Sequence, residues 1–258
     1  MSRLSADRST LVRETVIEGT DVDAQSHCRL SRLFNIIQET ATEHSVELGI
    51  CRRDALEKYG CFWMVLRVYI AMARPVLWGE TLRTVITPRK PAGSRVYWDC
   101  DFYVGTERVG EAVPVFVLVS RKTGKPADLT ELPEFALPRY SEKTYTPGRI
   151  RFPDEMRLFD TRKLYYSDAD MNGHMNNARY VDLACDTAQL HLRPQGAFVR
   201  TITISYIGEC FPGQTLSLYR GRKDGAMYIH GVGDDGTDRF DCELRMSSSA
   251  DEPAGTRS

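Results

Sequence analysis

The chain reads as an α+β protein made of two copies of one unit, each a curved antiparallel sheet wrapped around a long helix. Three observations lead there. Each half runs in the same order: a strand, a loop, a helix, then four strands. Residues of the two halves match at fixed spacing, because Asp168, Asp170, His174, Arg179, Thr187, Ala188 and His191 lie 147 positions (168 less 21) after Asp21, Asp23, His27, Arg32, Thr40, Ala41 and His44. After a shorter gap, Gly213-Gln214-Thr215-Leu216 matches Gly79-Glu80-Thr81-Leu82 at an offset of 134 (213 less 79). Third, each half owns one helix with an apolar stripe, which cannot bury itself but can be enclosed by a strongly curved sheet.

In order, Leu11 to Glu18 alternates weakly and reads as a first strand, followed by a loop from Gly19 to His27. Arg29 to Leu48 carries Leu30, Leu33, Phe34, Ile37, Ala41 and His44 at helical spacing, and Gly49 is a natural stop. Arg52 to Lys58 reads as a short second helix. Strands follow at Phe62 to Ala73, Glu80 to Arg89, Ser94 to Val104 and Glu107 to Ser120, separated by Gly and Pro. Val113, Val115, Phe116, Val117, Leu118 and Val119 imply burial on both faces, while Pro114 among them suggests an irregular or edge position. Pro133, Pro138, Pro147 and Pro153 mark a linker between Leu132 and Asp154.

The second unit then runs through a strand at Leu158 to Tyr166, a polar loop, and a helix from about Ala178 that buries Tyr180, Leu183, Ala184, Ala188 and the stem of His191. Strands follow at Phe198 to Ile207, Gln214 to Arg222, Ala226 to Gly233 and Arg239 to Ser247, the last alternating cleanly enough to predict one wet face. Joining the two sheets edge to edge gives the tandem, or double, hot-dog fold. The expected divisions are a flexible start over 1–10, a first hot-dog domain over 11–135, a linker over 136–157, a second domain over 158–248 and a disordered tail over 249–258.

Composition narrows the function classes. With 42% hydrophobic and 27% charged residues the chain is an ordinary globular protein, and its net charge of −1 supplies no basic excess to track a nucleic acid. Seven cysteines, at 28, 51, 61, 100, 185, 210 and 242, form neither a C-x-x-C pair nor a metal-ligand spacing, so reduced thiols in the cytoplasm are expected, with no metal and no cofactor. No apolar run is long enough for a membrane span, and neither a secretory signal nor a transit peptide is visible.

The chemistry is expected in the loop Ser167 to Tyr180, where acid, amide and imidazole groups crowd before a helix. Asn176 or Asn177 would cap that helix, whose unpaired N–H groups favour a developing negative charge. Such a loop alone is commonly just turn and capping chemistry. A second feature stands beside it, Glu209-Cys210 closing a strand some 30 residues on, and it is what the two together resemble that decides against the bland reading.

Together, Asp170-x-Asn172-x-His174-x-Asn176-Asn177-x-x-Tyr180 and Glu209-Cys210 resemble the acyl-ACP thioesterases, the plant and bacterial enzymes that end fatty-acid synthesis. Gln38-Glu39-Thr40-Ala41 with His44, Trp78-Gly79-Glu80, and Ser205-Tyr206-Ile207-Gly208-Glu209-Cys210 extend the likeness over roughly Leu11 to Met246. The resemblance implies hydrolysis of the thioester joining a fatty acyl chain to the phosphopantetheine arm of acyl carrier protein. It implies catalytic roles for Asp170, Asn172, His174 and Glu209, with Cys210 as a further candidate nucleophile, and gives the first domain the acyl chain to hold. The long N-terminal transit and anchor regions of plant members are absent, which fits a bacterial-type cytosolic protein. The first copy is degraded as a catalyst, since Gln25 stands in the place of Asn172 and Pro75 in that of Glu209.

Hydrolysis needs a nucleophilic water, a polarised carbonyl and a released thiolate. A carboxylate is a poor base at its ordinary pKa of about 4, but enclosure and a second carboxylate raise it, so Asp170 and Glu209 are expected to share a pocket. One would activate water, with Asn172 and His174 orienting it and N–H groups near Asn176 and Asn177 holding the oxyanion. Which carboxylate is the base, or whether one attacks directly, stays open. Attack by Cys210 is the rival, but it exchanges one thioester for another. An acyl-CoA thioesterase of the same fold and a non-catalytic acyl- or carrier-binding module are the alternative functions. His27, His44 and His191 are read as packing or capping residues, Trp63, Trp78 and Trp98 as core or sheet-surface residues, and Arg29, Arg32, Arg52 and Arg53 as a solvated face before a carrier-docking one. Chain length is not legible, and monomer and homodimer are both compatible with the repeats.

Overall fold

A computed structural model describes residues 2–130 and 132–247, so the predicted tail over 249–258 lies outside the described residues. The first unit comprises β1 (Ser2–Leu4), β2 (Leu11–Val16), α1 (Leu30–Leu48), α2 (Arg52–Tyr59), β3 (Cys61–Met72), β4 (Thr81–Pro88), β5 (Arg95–Val104) and β6 (Glu107–Ser120). The second comprises β7 (Arg157–Lys163), α3 (Asn177–Thr187), β8 (Val199–Tyr206), β9 (Thr215–Lys223), β10 (Ala226–Gly233) and β11 (Asp238–Met246). All strands join one antiparallel sheet in the order β1-β2-β4-β5-β6-β3-β8-β11-β10-β9-β7. The seam is the β3–β8 pair, running from Arg67 opposite Ser205 to Ala71 opposite Thr201. This is the double hot-dog arrangement, two sheets merged edge to edge with their helices packed on each other. Among the described residues no helix is long and apolar enough to cross a membrane.

Helix α1 buries Leu33, Phe34, Ile37, Ala41 and His44 as its stripe demands, and adds Ile36, Thr40 and Ser45 because α3 covers a second side. Gly49 ends it in a left-handed conformation, φ 76°, its N–H returned to Val46. A single apolar cluster runs from Leu33 through Ile70 and Ile204 to Phe240, crossing the seam without a break.

Five expectations need correction, in whole or in part. The start of the chain is not a loose end: Ser2–Leu4 pairs with Leu11–Arg13, and the intervening turn is built by Ser5, Asp7 and Ser9 and anchored where Arg8 O meets buried His44 Nε2 at 2.9 Å. Pro114 is irregular, one of the two expected positions, but not on an edge: it sits in an interior strand, and there the pairing with β5 lapses between Tyr97–Val115 and Cys100–Ala112. Helix α3 stops at Thr187 because Gln189 turns left-handed (φ 56°), which leaves His191 exposed. The outer face of β11 is not wet throughout, since Arg239 and Asp241 are buried while Glu243 and Arg245 are half-exposed.

The fifth concerns the predicted linker, which is a strap. Arg67 Nη1 donates to Pro147 O at 2.7 Å, Arg89 Nη2 to Tyr145 O at 2.7 Å, and Phe152 packs edge-on to His230 with centroids 5.0 Å apart. It lies on strands of both units, Lys143 reaching Asp101 and Glu111 in the first and Ile150 packing with Ala226 and Tyr228 in the second, while Val113 to Val119 of β6 are buried without alternation.

Candidate active site

The loop before α3 is organised by Asp168, whose buried carboxylate accepts the Tyr165 N–H at 2.7 Å and pairs with Arg162 at 3.1 Å. Its carbonyl accepts the Asn176 N–H at 2.9 Å, and Ala169 and Met175 form a bridge, so the segment between them must loop outward. Within that loop the Asp170 N–H donates to His174 O and the Gly173 N–H to Asp170 O, both at 3.0 Å. Gly173 supplies the left-handed turn at φ 80°. The Asp170 carboxylate folds inward on the loop itself, Oδ1 accepting the Asn172 N–H at 2.8 Å and Oδ2 the Asn172 side-chain amide at 3.4 Å.

Glu209 arrives from the other direction. Beyond β8 the chain turns through Gly208, with the Ile207 and Gly208 N–H groups both donating to Arg239 O at 2.9 and 3.1 Å. A Cβ on Gly208 would stand 3.1 Å from Asp238 O, a tight contact that any side chain here would have to relieve by a small shift. The Tyr180 hydroxyl on α3 donates to Gly208 O at 3.2 Å, and the Met175 N–H donates to Cys210 O at 2.7 Å. Those two bonds tie the turn to the loop and set Glu209 Oε1 3.7 Å from His174 Nε2, with Phe211 edge-on to the imidazole.

The four predicted residues therefore meet as two pairs, Asp170 with Asn172 and Glu209 with His174, joined through the backbone. The shared, enclosed pocket expected of the two carboxylates is not formed. Asp170 turns into its own loop, while the Glu209 side chain reaches solvent and is 53% exposed. A cavity of about 370 Å³ beside Asp170 is lined by Arg29, Arg32, Asn35 and Asn176 but not by Glu209. Asn176 caps α3, accepting the Ala178 N–H at 2.9 Å through Oδ1; with its own N–H spent on Asp168, the expected oxyanion donor at Asn176 is already engaged. The Asn177 side chain instead crosses to α1 and donates to Gln38 at 2.9 Å.

Cys210 faces away from Glu209. It is fully buried against Tyr180 and Arg239, and burial pushes its thiol up, which disfavours a nucleophilic thiolate. Sequence reasoning missed Tyr180 and Arg239 as supports of the Glu209 turn; the only local signal for that turn is Gly208 itself. It also missed the Gln38–Asn177 bond, which spans the repeats and leaves no local pattern. Of the four candidate docking arginines, Arg29, Arg52 and Arg53 are exposed, whereas Arg32 pairs with Asp21 at 3.0 Å.

The first unit carries the same loop bond for bond. Asp23 N–H to His27 O (2.9 Å), Ser26 N–H to Asp23 O (3.0 Å) and Arg29 N–H to Asp21 O (2.8 Å) reproduce the bonds of Asp170, Gly173 and Asn176. Cys28 N–H donates to Val76 O at 2.7 Å where Met175 donates to Cys210 O. That bond fits both offsets, 147 (175 less 28) and 134 (210 less 76), and so puts Pro75 in the place of Glu209.

Comparison with known proteins gives the family and the fold. Residues 10–134 match the model of the acyl-ACP thioesterase N-terminal domain and residues 153–253 that of the C-terminal domain. A chloroplastic palmitoyl-acyl carrier protein thioesterase of Gossypium hirsutum is 22% identical over 75% of this chain and 50% of its own length. A chloroplastic oleoyl-acyl carrier protein thioesterase of Arabidopsis thaliana is 20% identical over 81% of this chain and 63% of its own. The chain thus spans about half the length of the first of these curated relatives. Among solved structures, an acyl-ACP thioesterase from Bacteroides thetaiotaomicron superposes with a TM-score of 0.83 at 19% identity, covering 95% of this chain and 100% of the other. The 12:0-ACP thioesterase of Umbellularia californica gives 0.75 at 16% identity, covering 92% and 97%; at such identities both report the fold.

Proposed function

The chain belongs to the acyl-ACP thioesterase family, and on that premise we propose that it hydrolyses the thioester joining a fatty acyl chain to the phosphopantetheine arm of an acyl carrier protein, with the catalytic groups in its second unit and the acyl chain held by the first. The observation that carries the reading is the 3.7 Å approach of Glu209 to His174 across two segments distant in sequence, next to the Asp170–Asn172 pair.

In this reading Glu209 is the base. Both oxygens of Asp170 are occupied by Asn172, whereas Glu209 meets only His174 among the described residues and stands open to water. Water is held between Glu209 and His174 and gives its proton to the Glu209 carboxylate as its oxygen attacks the thioester carbon. The tetrahedral oxyanion is met by the Asn172 amide and by the Asn177 N–H, the first-turn donor of α3 that meets no acceptor among the described residues. Collapse breaks the C–S bond, and the proton on Glu209 passes to the departing thiolate. Asp170 fixes the loop that presents Asn172 and His174. The bound acyl-phosphopantetheine itself supplies the enclosure that the free site lacks, by covering Glu209.

Cys210 has no part in bond making here, because its buried thiol points to Tyr180 and Arg239. The seven free thiols support a reducing, cytoplasmic setting. The test is thiol release from acyl-ACP and acyl-CoA of the same chain length. Turnover on acyl-ACP, lost by about 10²-fold or more in Glu209→Gln, is expected. Preference for the CoA ester would move the assignment to an acyl-CoA thioesterase, and no hydrolysis of either by the folded protein would end it.

A further inference from the structure

The loop before the helix is framed by the same backbone bonds in both units, so the frame does not depend on the side chains that differ between them. One such difference lies between the two helices. In the second unit the Asn177 side chain, on the first turn of α3, donates to Gln38 Oε1 on α1 at 2.9 Å. The positions related to these by the 147-residue offset are Leu30 (177 less 147) and Cys185 (38 plus 147), neither of which carries an amide. The loop of the first unit is thus built, and its helix seated, without such a pair. The pair is present in the unit that has Asn172 and Glu209, and missing from the unit with Gln25 and Pro75 in their places. It goes with the chemistry rather than with the frame.

Asn177 is where a bond of this kind matters. Its N–H is the first-turn donor of α3 that meets no acceptor among the described residues and is assigned above to the oxyanion. Helix ends fray, and an oxyanion donor is effective only when held about 2.7–3.1 Å from the place where charge develops. Asn177 is held from two sides. The Tyr206 hydroxyl, on β8 of the second unit, donates to its carbonyl at 3.2 Å, and Gln38, on α1 of the first unit, takes its side-chain amide. Both Gln38 and Asn177 are half-buried, which shields their bond from competition by water.

We propose that Gln38 is a positioning residue for hydrolysis, contributed by the first unit to the site of the second: by tying down Asn177 it fixes the N–H that meets the oxyanion. This rests on the hydrolase reading above. Steady-state kinetics of the full chain on acyl-ACP test it. Gln38→Met keeps the shape of the side chain and removes the acceptor. Its kcat is expected to fall about tenfold, a part of the roughly 10²–10³-fold that an oxyanion donor is worth, with KM within about twofold of wild type. Gln38→Cys combined with Asn177→Leu installs the pair that the first unit already uses at a helix start. It is expected to fold by circular dichroism and to lose the same tenfold and no more, because the two residues act as one contact. Wild-type kcat in folded Gln38→Met would overturn the proposal, as would a loss near a hundredfold in the pair, which would mean that Gln38 acts apart from Asn177. Where Gln38→Met fails to fold, the pair decides alone, and wild-type kcat there overturns the proposal. Absence of turnover in the wild type is a separate result, which would overturn the hydrolase reading and this inference with it.

Discussion

Glu209 and Cys210 are neighbours in sequence and face opposite ways, one toward solvent and His174, the other into the interior beside Tyr180. Their substitutions should therefore separate. Glu209→Gln is expected to lose activity while unfolding at the wild-type denaturant midpoint. Cys210→Ala should keep activity within about threefold and lose about 1–2 kcal/mol of stability, as truncation in a packed core does. A Cys210→Ala protein that folds and is inactive would restore the thiol to the chemistry. Asn176 belongs to stability as well, and replacing this cap by Ala should cost about 1 kcal/mol in chemical denaturation. The cluster around Asp170 was legible in the sequence because it is local, acid and amide groups preceding a helix. The approach of Glu209 was legible only through the resemblance, since nothing in periodicity says where a strand end 30 residues on will point.

Among the elements, the strands and the long helix follow from periodicity, because burial of one face leaves a repeating trace in the chain. Features made by long-range packing leave none. The strap over 138–156 reads as a linker from its prolines, but Pro147, Ile150 and Phe152 are turned to the sheet; β1 is too short to show alternation at all. Under the strap, His230 on β10 is paired with Asp241 at 2.8 Å and Asp238 at 3.3 Å, with Phe152 and Tyr219 packed against it. Its hydrogen bond to Asp241, followed by that carboxylate's charge, raises the imidazole pKa despite burial. A histidine raised above its unfolded value of about 6.5 stabilises the fold fully below that pH, and the contribution fades as pH climbs through the raised value. The stability difference between wild type and His230→Gln should therefore be larger at pH 5.5 than at pH 8 in urea denaturation. A difference that grows toward pH 8 would mean the imidazole is neutral in the fold.

At the scale of the molecule, the repeat was the most legible feature of all, and the offsets read from side chains reappear in backbone hydrogen bonds. What repetition could not reveal is how far the two units depend on each other. The core crosses the β3–β8 seam, the strap bridges both, and Gln38 holds Asn177 between helices. Scanning calorimetry should accordingly give one transition, which Ile204→Ala at the seam lowers by about 2–5 kcal/mol without splitting it; two transitions would make the units independent. Within that single body, only the second unit holds the four polar groups, and that division of labour is the centre of the account. It is tested most directly by acyl-ACP hydrolysis rates of the matched pair Asp170→Asn and Asp23→Asn. The first should fall by about 10²-fold or more while the second stays within a fewfold of wild type; equal losses in two folded variants would contradict it.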